Sequence, residues 1–223
     1  MQKASTEGSK ISWNEISDSI ITDDLNKVIN YSDKKLNIGS PESLLGNFIC
    51  DISMFSIKKN KNITHYPDFC VFNNGIFKAP IAKGKVTIAD IYNVFPTNHE
   101  LVIVKVDPKN LSLFLNYIVK ESIVKDSDPS GVSTSGIRLK ISAERKIRRC
   151  MVNTMEINKN NSYYLLTTYQ LINSQNGMNF LKDLVMEKTN LTLKELVLKY
   201  IHEISLDSIT INAELDGRIT INK

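Results

Sequence analysis

Six consecutive residues set the first constraint on the fold. Residues 101–106 read Leu-Val-Ile-Val-Lys-Val, with one charge among them. Successive side chains of a strand point to opposite faces, so a strand this apolar is buried on both faces for part of its length. The sheet it belongs to needs cover on either side. A chain of 223 residues can supply that cover: at this size about 70% of the extended-chain surface is buried and no disulfide staple is required. At about 150 residues per domain the length suits one good-sized domain with an appendage, or two small ones.

Around that strand, helical and strand periodicities mix without strict alternation and without an internal repeat. Residues 1–10 are polar and expected to be frayed, with no apolar core to suggest a signal peptide. Residues 11–36 read as a lead-in or linker helix, with Thr22-Asp23-Asp24 as cap and Leu25, Val28 and Ile29 as an apolar stripe. Asn37-Ile38-Gly39-Ser40-Pro41 breaks it, and 37–223 is read as the domain proper. A second helix is expected over 42–58, from the spacing of Leu45, Phe48, Ile49, Ile52 and Phe55. Gly46 in its middle costs about 1 kcal/mol relative to alanine, which points to close packing there. A strand at 69–72 precedes the turn Asn73-Asn74-Gly75. Thr87 with Asp90 forms a capping-box pattern for a helix that ends before Pro96. Pro108 opens another helix, 126–136 reads as a loop, and strands are expected at 137–142, 147–153 and 162–169. A helix over 179–187, a helix over 192–204 capped by Thr192 and Glu195, and a strand from Gly217 complete the expectations. The mixture argues for an α+β class over a doubly wound sheet.

Composition excludes several functions. A hydrophobic share of 42% and a charged share of 23% belong to a globular chain, which excludes disorder, collagen-like structure and a small disulfide scaffold. The net charge of +4 is spread out, and the short run from Arg145 to Arg149 reads as a solvated face, so no nucleic-acid role is expected. No stretch approaches about 18 consecutive apolar residues, so no transmembrane helix is expected. Cys50, Cys70 and Cys150 sit among apolar neighbours and read as buried thiols; a single disulfide would need an oxidising compartment. The three histidines, His65, His99 and His202, belong to no HExxH pattern, and no GxSxG, Walker A or GxGxxG run occurs. Thr97-Asn98-His99-Glu100 resembles the Gly-Asn-His-Asp/Glu run of metallophosphatases. A two-metal site needs several more ligands from separate loops, and neither an Asp-x-His nor a Gly-His-x-His run is present. No metal site and no catalytic residue are assigned.

Four stretches, in order, carry a resemblance. They are Glu42-Ser43-Leu44-Leu45-Gly46-Asn47-Phe48-Ile49-Cys50-Asp51; 68–80 with Asn73-Asn74-Gly75-Ile76-Phe77-Lys78; Gly84 to Val106 through Thr87, Asp90 and Phe95-Pro96; and Ser135-Gly136-Ile137-Arg138 followed by 163–177 and the terminal Asp216-Gly217-Arg218-Ile219. Together they resemble the C-terminal, substrate-binding domain of the 5'-nucleotidase and UDP-sugar hydrolase family. The resemblance implies a four-layer α/β/β/α domain with mixed sheets. It implies that a two-metal catalytic domain, absent from this stretch of chain, would be supplied by a separate metallophosphatase subunit, with divalent metals only there and no cofactor here.

The resemblance also places a pocket. Asn73 keeps the asparagine that opens the second motif, Gly75 lies in the same turn, and Lys78 stands where the family has a phosphate-gripping arginine. Lysine keeps the charge and loses the bidentate fork. Gly39 stands where the family has a further arginine. Thr97 occupies the place of one aromatic clamp on the base, and Gln170 that of the other, with Tyr169 beside it as a substitute. Asn176 falls near the ribose-binding aspartate. Base–aromatic stacking is worth about 1–3 kcal/mol per base, so the departures weaken nucleoside binding, while Asn73 and Lys78 still suit an anion such as phosphate.

The preferred reading is a substrate-recognition subunit for hydrolysis of nucleotides or related small phosphate esters, inactive alone and located in the periplasm or at the cell surface as the family is. The alternative is a degenerate ligand-binding or interaction protein without a nucleotide role. An independent hydrolase built on Asp68 or Asp90 lacks an identifiable partner base.

Overall fold

The computed structural model describes residues 24–123, 130–175 and 177–222. Along them run β1 (Val28–Ser32), α1 (Leu44–Lys59), β2 (Phe69–Asn73), β3 (Gly84–Thr87), α2 (Ile88–Val94), β4 (Glu100–Val106), α3 (Pro108–Ser122) and β5 (Val132–Ser135). They continue with β6 (Ile137–Ile141), β7 (Ile147–Val152), β8 (Met155–Glu156), β9 (Tyr163–Thr168), α4 (Tyr169–Asn173), β10 (Met186–Thr192), α5 (Leu193–Leu206) and β11 (Ile219–Ile221).

The apolar strand at 101–106 does sit inside a two-sided sheet. β4 is second in a five-stranded sheet ordered β10-β4-β9-β2-β5, mixed because β2 runs parallel to β9 while the other pairs are antiparallel. Alternate residues enter separate cores. Leu101 and Ile103 of β4 with Cys70 and Phe72 of β2 face one core; Val102, Val104 and Val106 with Phe69 and Val71 face the other. The first core is closed by α1, α2 and α5, through residues such as Phe48, Ile49, Ile91, Val197 and Ile201, and by the β1–β3 ribbon. The second is closed by α3, through Leu111, Phe114 and Ile118, and by a four-stranded sheet ordered β11-β6-β7-β8. The α+β class with mixed sheets holds. All three cysteines are free and buried.

The caps read from sequence form as expected. Thr87 with Asp90 and Thr192 with Glu195 make reciprocal capping boxes, and Pro108 occupies the first turn of α3 behind the Asp107 cap. Two expected helices are corrected. Over 11–36, residues 1–23 lie outside the described residues, and from Val28 the chain is strand β1, paired antiparallel with β3. Its buried Asn30 donates to the carbonyls of Ile201 and Ile209, so the segment is stitched to α5 rather than standing apart as a linker. Over 179–187, a single 3-10 turn at Asn179–Leu181 gives way to β10, because pairing with β4 along Val102–Val104 satisfies a backbone that an isolated short helix would leave to solvent. The loop expected at 126–136 contains β5, which zips onto β2, while 124–129 lie outside the described residues.

The first and last of the four stretches meet in space. The Glu42 carboxylate accepts from the backbone N–H groups of Asp216 and Gly217 (2.9 and 3.0 Å) and from Asn47 Nδ2 (2.6 Å). Ser43 caps α1. Asp51, further along α1, takes a two-pronged ion pair from Arg218 (2.8 and 2.6 Å). These residues fasten the carboxyl-terminal segment to α1.

Candidate functional site

Strand directions bring the ends of four strands to one place. The last residues of β2 and β9 lie side by side because these strands are parallel. β4 runs the other way, so its first residues lie beside the end of β9, with Leu101 opposite Thr168. β10 also ends there, with Thr192 opposite Glu100, and α5 starts from that point. Strands β2, β9 and β10 thus end at this rim and β4 begins there.

The described sequence-derived positions lie as follows. Asn73 closes β2; its Oδ1 accepts from Gly75 N (2.8 Å), and its Nδ2 donates to the Tyr117 hydroxyl and a Glu121 oxygen (3.3 and 3.4 Å). Asn73 thus caps its own turn and leans on α3. Burial pushes the Tyr117 hydroxyl up to about 12, the Asn73 bond opposing and Glu121 adding to the rise, so it stays protonated. Lys78 is exposed, its Nζ donating to the Gly75 carbonyl (2.6 Å), while its backbone N–H donates to Val94 O at the end of α2 (3.0 Å). Beneath it, Phe77 and Phe95 pack edge to face at 5.8 Å. Thr97 is exposed and its Oγ1 lies 3.1 Å from His99 Nε2. Gln170 Oε1 accepts from Glu100 N (3.1 Å), and Tyr169 beside it is exposed at the start of α4. Gly39 contributes its carbonyl to Asn74 Nδ2 (2.8 Å). Asn176 lies outside the described residues. Lys78, Thr97 and Gln170 are therefore strung along one rim, whereas the Asn73 side chain faces α3.

Two further residues belong to that rim. Leu193 N donates to His99 O (2.8 Å), which sets the first turn of α5 against the start of β4 and brings Lys194 beside His99. The Lys194 ammonium sits 4.2 Å above the Tyr92 ring. His99 is half-buried, and burial, then the positive charges of Lys78 and Lys194, hold its imidazole below the ordinary value. Its Nδ1 is buried without a hydrogen-bond partner among the described residues. From sequence, His99 is weighed only as a metal ligand and Lys194 is passed over. The position of His99 just beyond Pro96 in the third stretch is a usable signal; nothing local marks Lys194, which is recruited by the His99–Leu193 backbone bond. Among the described residues no three His, Cys, Asp or Glu side chains stand together as a metal site.

A second polar cluster has a different character. Asp51, Ser135, Arg138, Asp216 and Arg218 line a cleft of about 370 Å³. Both guanidinium groups are already engaged: Arg138 with Asp216 at 2.6 Å, Arg218 with Asp51 and Asp216. The cleft is lined by the terminal fastening and offers no uncommitted cation.

Comparison with known proteins bears on the fold and the family. No curated protein sequence matches the chain. In structure it is similar to the 5'-nucleotidase precursor of Thermus thermophilus (TM-score 0.74, 20% identity, 94% of this chain and 41% of that one). It is also similar to the NAD nucleotidase of Haemophilus influenzae (TM-score 0.68, 18% identity, 94% and 40%). A third likeness is to a putative 5'-nucleotidase from Staphylococcus aureus, in complex with alpha-ketoglutarate (TM-score 0.67, 14% identity, 89% and 41%). These likenesses establish the fold, and the chain spans about 40% of the length of these proteins. The family model described as 5'-nucleotidase, C-terminal domain matches residues 26–183, well over half of the sequence. This chain belongs to the family of 5'-nucleotidase C-terminal domains.

Proposed function

We propose that this domain recognises a small phosphorylated molecule, a nucleotide or related phosphate ester, for hydrolysis by a separate metallophosphatase domain or subunit. In this reading the divalent metals and the catalytic groups belong to the partner, and the pair acts in nucleotide breakdown in the periplasm or at the cell surface. The observation that supports it is the convergence of Lys78, Thr97, His99, Gln170 and Lys194 on the carboxyl-end rim of the central sheet, in a member of this family. Two ammonium groups suit an anion. No aromatic side chain stands at position 97 or 170, so the phosphate rather than the base supplies most of the affinity.

Calorimetry of the purified chain with adenosine monophosphate, adenosine and inorganic phosphate tests this. The monophosphate is expected to bind, phosphate to compete with it, and adenosine to bind far more weakly. A hydrogen bond to a charged group is worth about 1.5–3 kcal/mol, so Lys78→Met should weaken monophosphate binding roughly ten- to hundred-fold. No turnover is expected from the chain alone with Mn²⁺ or Zn²⁺. Absence of binding by every phosphorylated probe at millimolar concentration would favour the second reading, a ligand-binding or interaction protein without a nucleotide role. That reading draws on the exposed Thr97 and Gln170, where stacking rings would be needed.

A further inference from the structure

The rim holds three basic groups that three different parts of the chain deliver. Lys78 comes from the loop after β2, anchored through its own N–H to the end of α2. His99 comes from the segment entering β4, and Lys194 from the first turn of α5, anchored through Leu193 to the His99 carbonyl. The other charged or titratable groups around His99 are Glu100, exposed at the head of β4; Glu195 of α5, whose carboxylate already accepts from Thr192 N and Oγ1; and Tyr92 of α2, under the Lys194 ammonium. α4 contributes the neutral Gln170. Nothing acidic among the described residues of this rim is positioned to pair with His99, and its buried Nδ1 lacks a partner among them.

We infer that Lys194 and His99, with Lys78, form an anion site in which capture of a dianion is coupled to uptake of one proton by His99. This rests on the phosphate-recognition reading above and adds a regulation to it. By itself the rim presents two positive charges to the imidazole, which disfavour a third. A phosphate or sulfate dianion between the two ammonium groups reverses the sign of that field. The imidazolium then becomes the favoured form. The linkage is reciprocal: binding raises the proton affinity of His99, and protonation raises the affinity for the anion by the same factor. A one-unit shift corresponds to about tenfold in affinity between a pH above the bound midpoint and a pH below the ligand-free one.

Sulfate is the discriminating probe, because it stays a dianion across this range whereas phosphate itself titrates. The His99 ring proton is followed by NMR from about pH 5 to about pH 8 with and without sulfate, assigned with His99→Gln, with His65 and His202 as internal references. Calorimetry near neutral pH in two buffers of different ionisation enthalpy counts the protons taken up. The midpoint of His99 is expected to rise on sulfate addition. Sulfate affinity should strengthen about tenfold toward acid, and His99→Gln should abolish that pH dependence. Lys194→Met should raise the His99 midpoint in the ligand-free protein, and Lys194→Arg, which keeps the charge, should leave it low. Sulfate binding with an unmoved His99 and a flat pH profile overturns the proton coupling and leaves phosphate recognition standing. No binding of sulfate or of adenosine monophosphate overturns both.

Discussion

Arg218→Ala is expected to destabilise the domain by about 3 kcal/mol, the low end of the range for removing one partner of a buried pair. The Arg218 side chain is 11% exposed and fully engaged: Asp51 by two oxygens, the Thr134 carbonyl at 2.8 Å and Asp216 at 2.9 Å. Alanine would take a donor from the Thr134 carbonyl and the guanidinium from two carboxylates at once, leaving Asp216 with Arg138 and Asp51 with the Ser135 hydroxyl. The carboxylates are half to two-fifths exposed and can recover some hydration, which keeps the cost from the top of the range. For a chain of this size about 3 kcal/mol corresponds to a fall in Tm of roughly 6–12 °C. Arg218→Lys should recover only part of it, because a single ammonium cannot reproduce the fork. Thermal unfolding checks the magnitude, and a loss of under about 1 kcal/mol would mean that the terminal fastening contributes little. The same fastening carries a pH dependence. Burial pushes Asp216 up, but the bonds and charges of Arg218 and Arg138 outweigh it and hold the carboxyl below its usual range. A depressed folded-state value gives stability that is present above the unfolded pKa, about 3.9, and is lost as pH falls through the folded value. Arg138→Met should therefore reduce the acid sensitivity of unfolding below about pH 4 along with stability at neutral pH.

The second large effect is expected at Gly46→Ala. Alanine is worth about 1 kcal/mol in helix propensity, and the substitution nevertheless should cost about 2–3 kcal/mol, because overpacking a close helix–sheet contact outweighs that gain. A Cβ there would overlap Ser133 Oγ and lie 2.6 Å from Ser133 Cβ on β5. Ser133 cannot simply turn away: its Oγ donates to Asn74 Oδ1, and Asn74 in turn ties the turn at 73–76 to Gly39 and Gly131. The strain is thus relayed to the loop that carries Lys78. Gly46→Ala should lower both Tm and anion affinity. Adding Ser133→Gly, which removes the two nearest offending atoms and leaves Ser43 Oγ at 2.9 Å, should restore part of the stability, whereas Ser133→Ala, which leaves the Cβ, should not. Equal stability of Gly46→Ala and the parent would show that α1 can back away from β5.

How much of this is legible in the sequence depends on where each signal resides. Capping boxes at Thr87 and Thr192, the proline start of α3 and the amphipathic stripes of α1 and α5 are local, and local chemistry suffices to place them. β1, β5 and β10 read as helix or loop because their stability comes from ladders with β3, β2 and β4, partners distant in sequence. Propensity yields to such pairing. Gly46 illustrates the intermediate case. Its poor helix propensity announces a close approach, but not that the approaching atom belongs to Ser133. The site divides in the same way. Lys78, Thr97 and Gln170 can be placed from ordered motifs, whereas Lys194 enters only because a β10–β4 ladder and one backbone bond to His99 set α5 beside them.

By itself the sequence determined the family, the two-sided burial of β4 and the position of most caps, since apolar alternation and side-chain-to-backbone bonding act over a few residues. Only the tertiary structure decided which basic groups share a rim and which arginines are already committed to carboxylates. Those outcomes depend on strand direction and on pairing between segments far apart in the chain, and no local pattern encodes the sum of the charges that meet there.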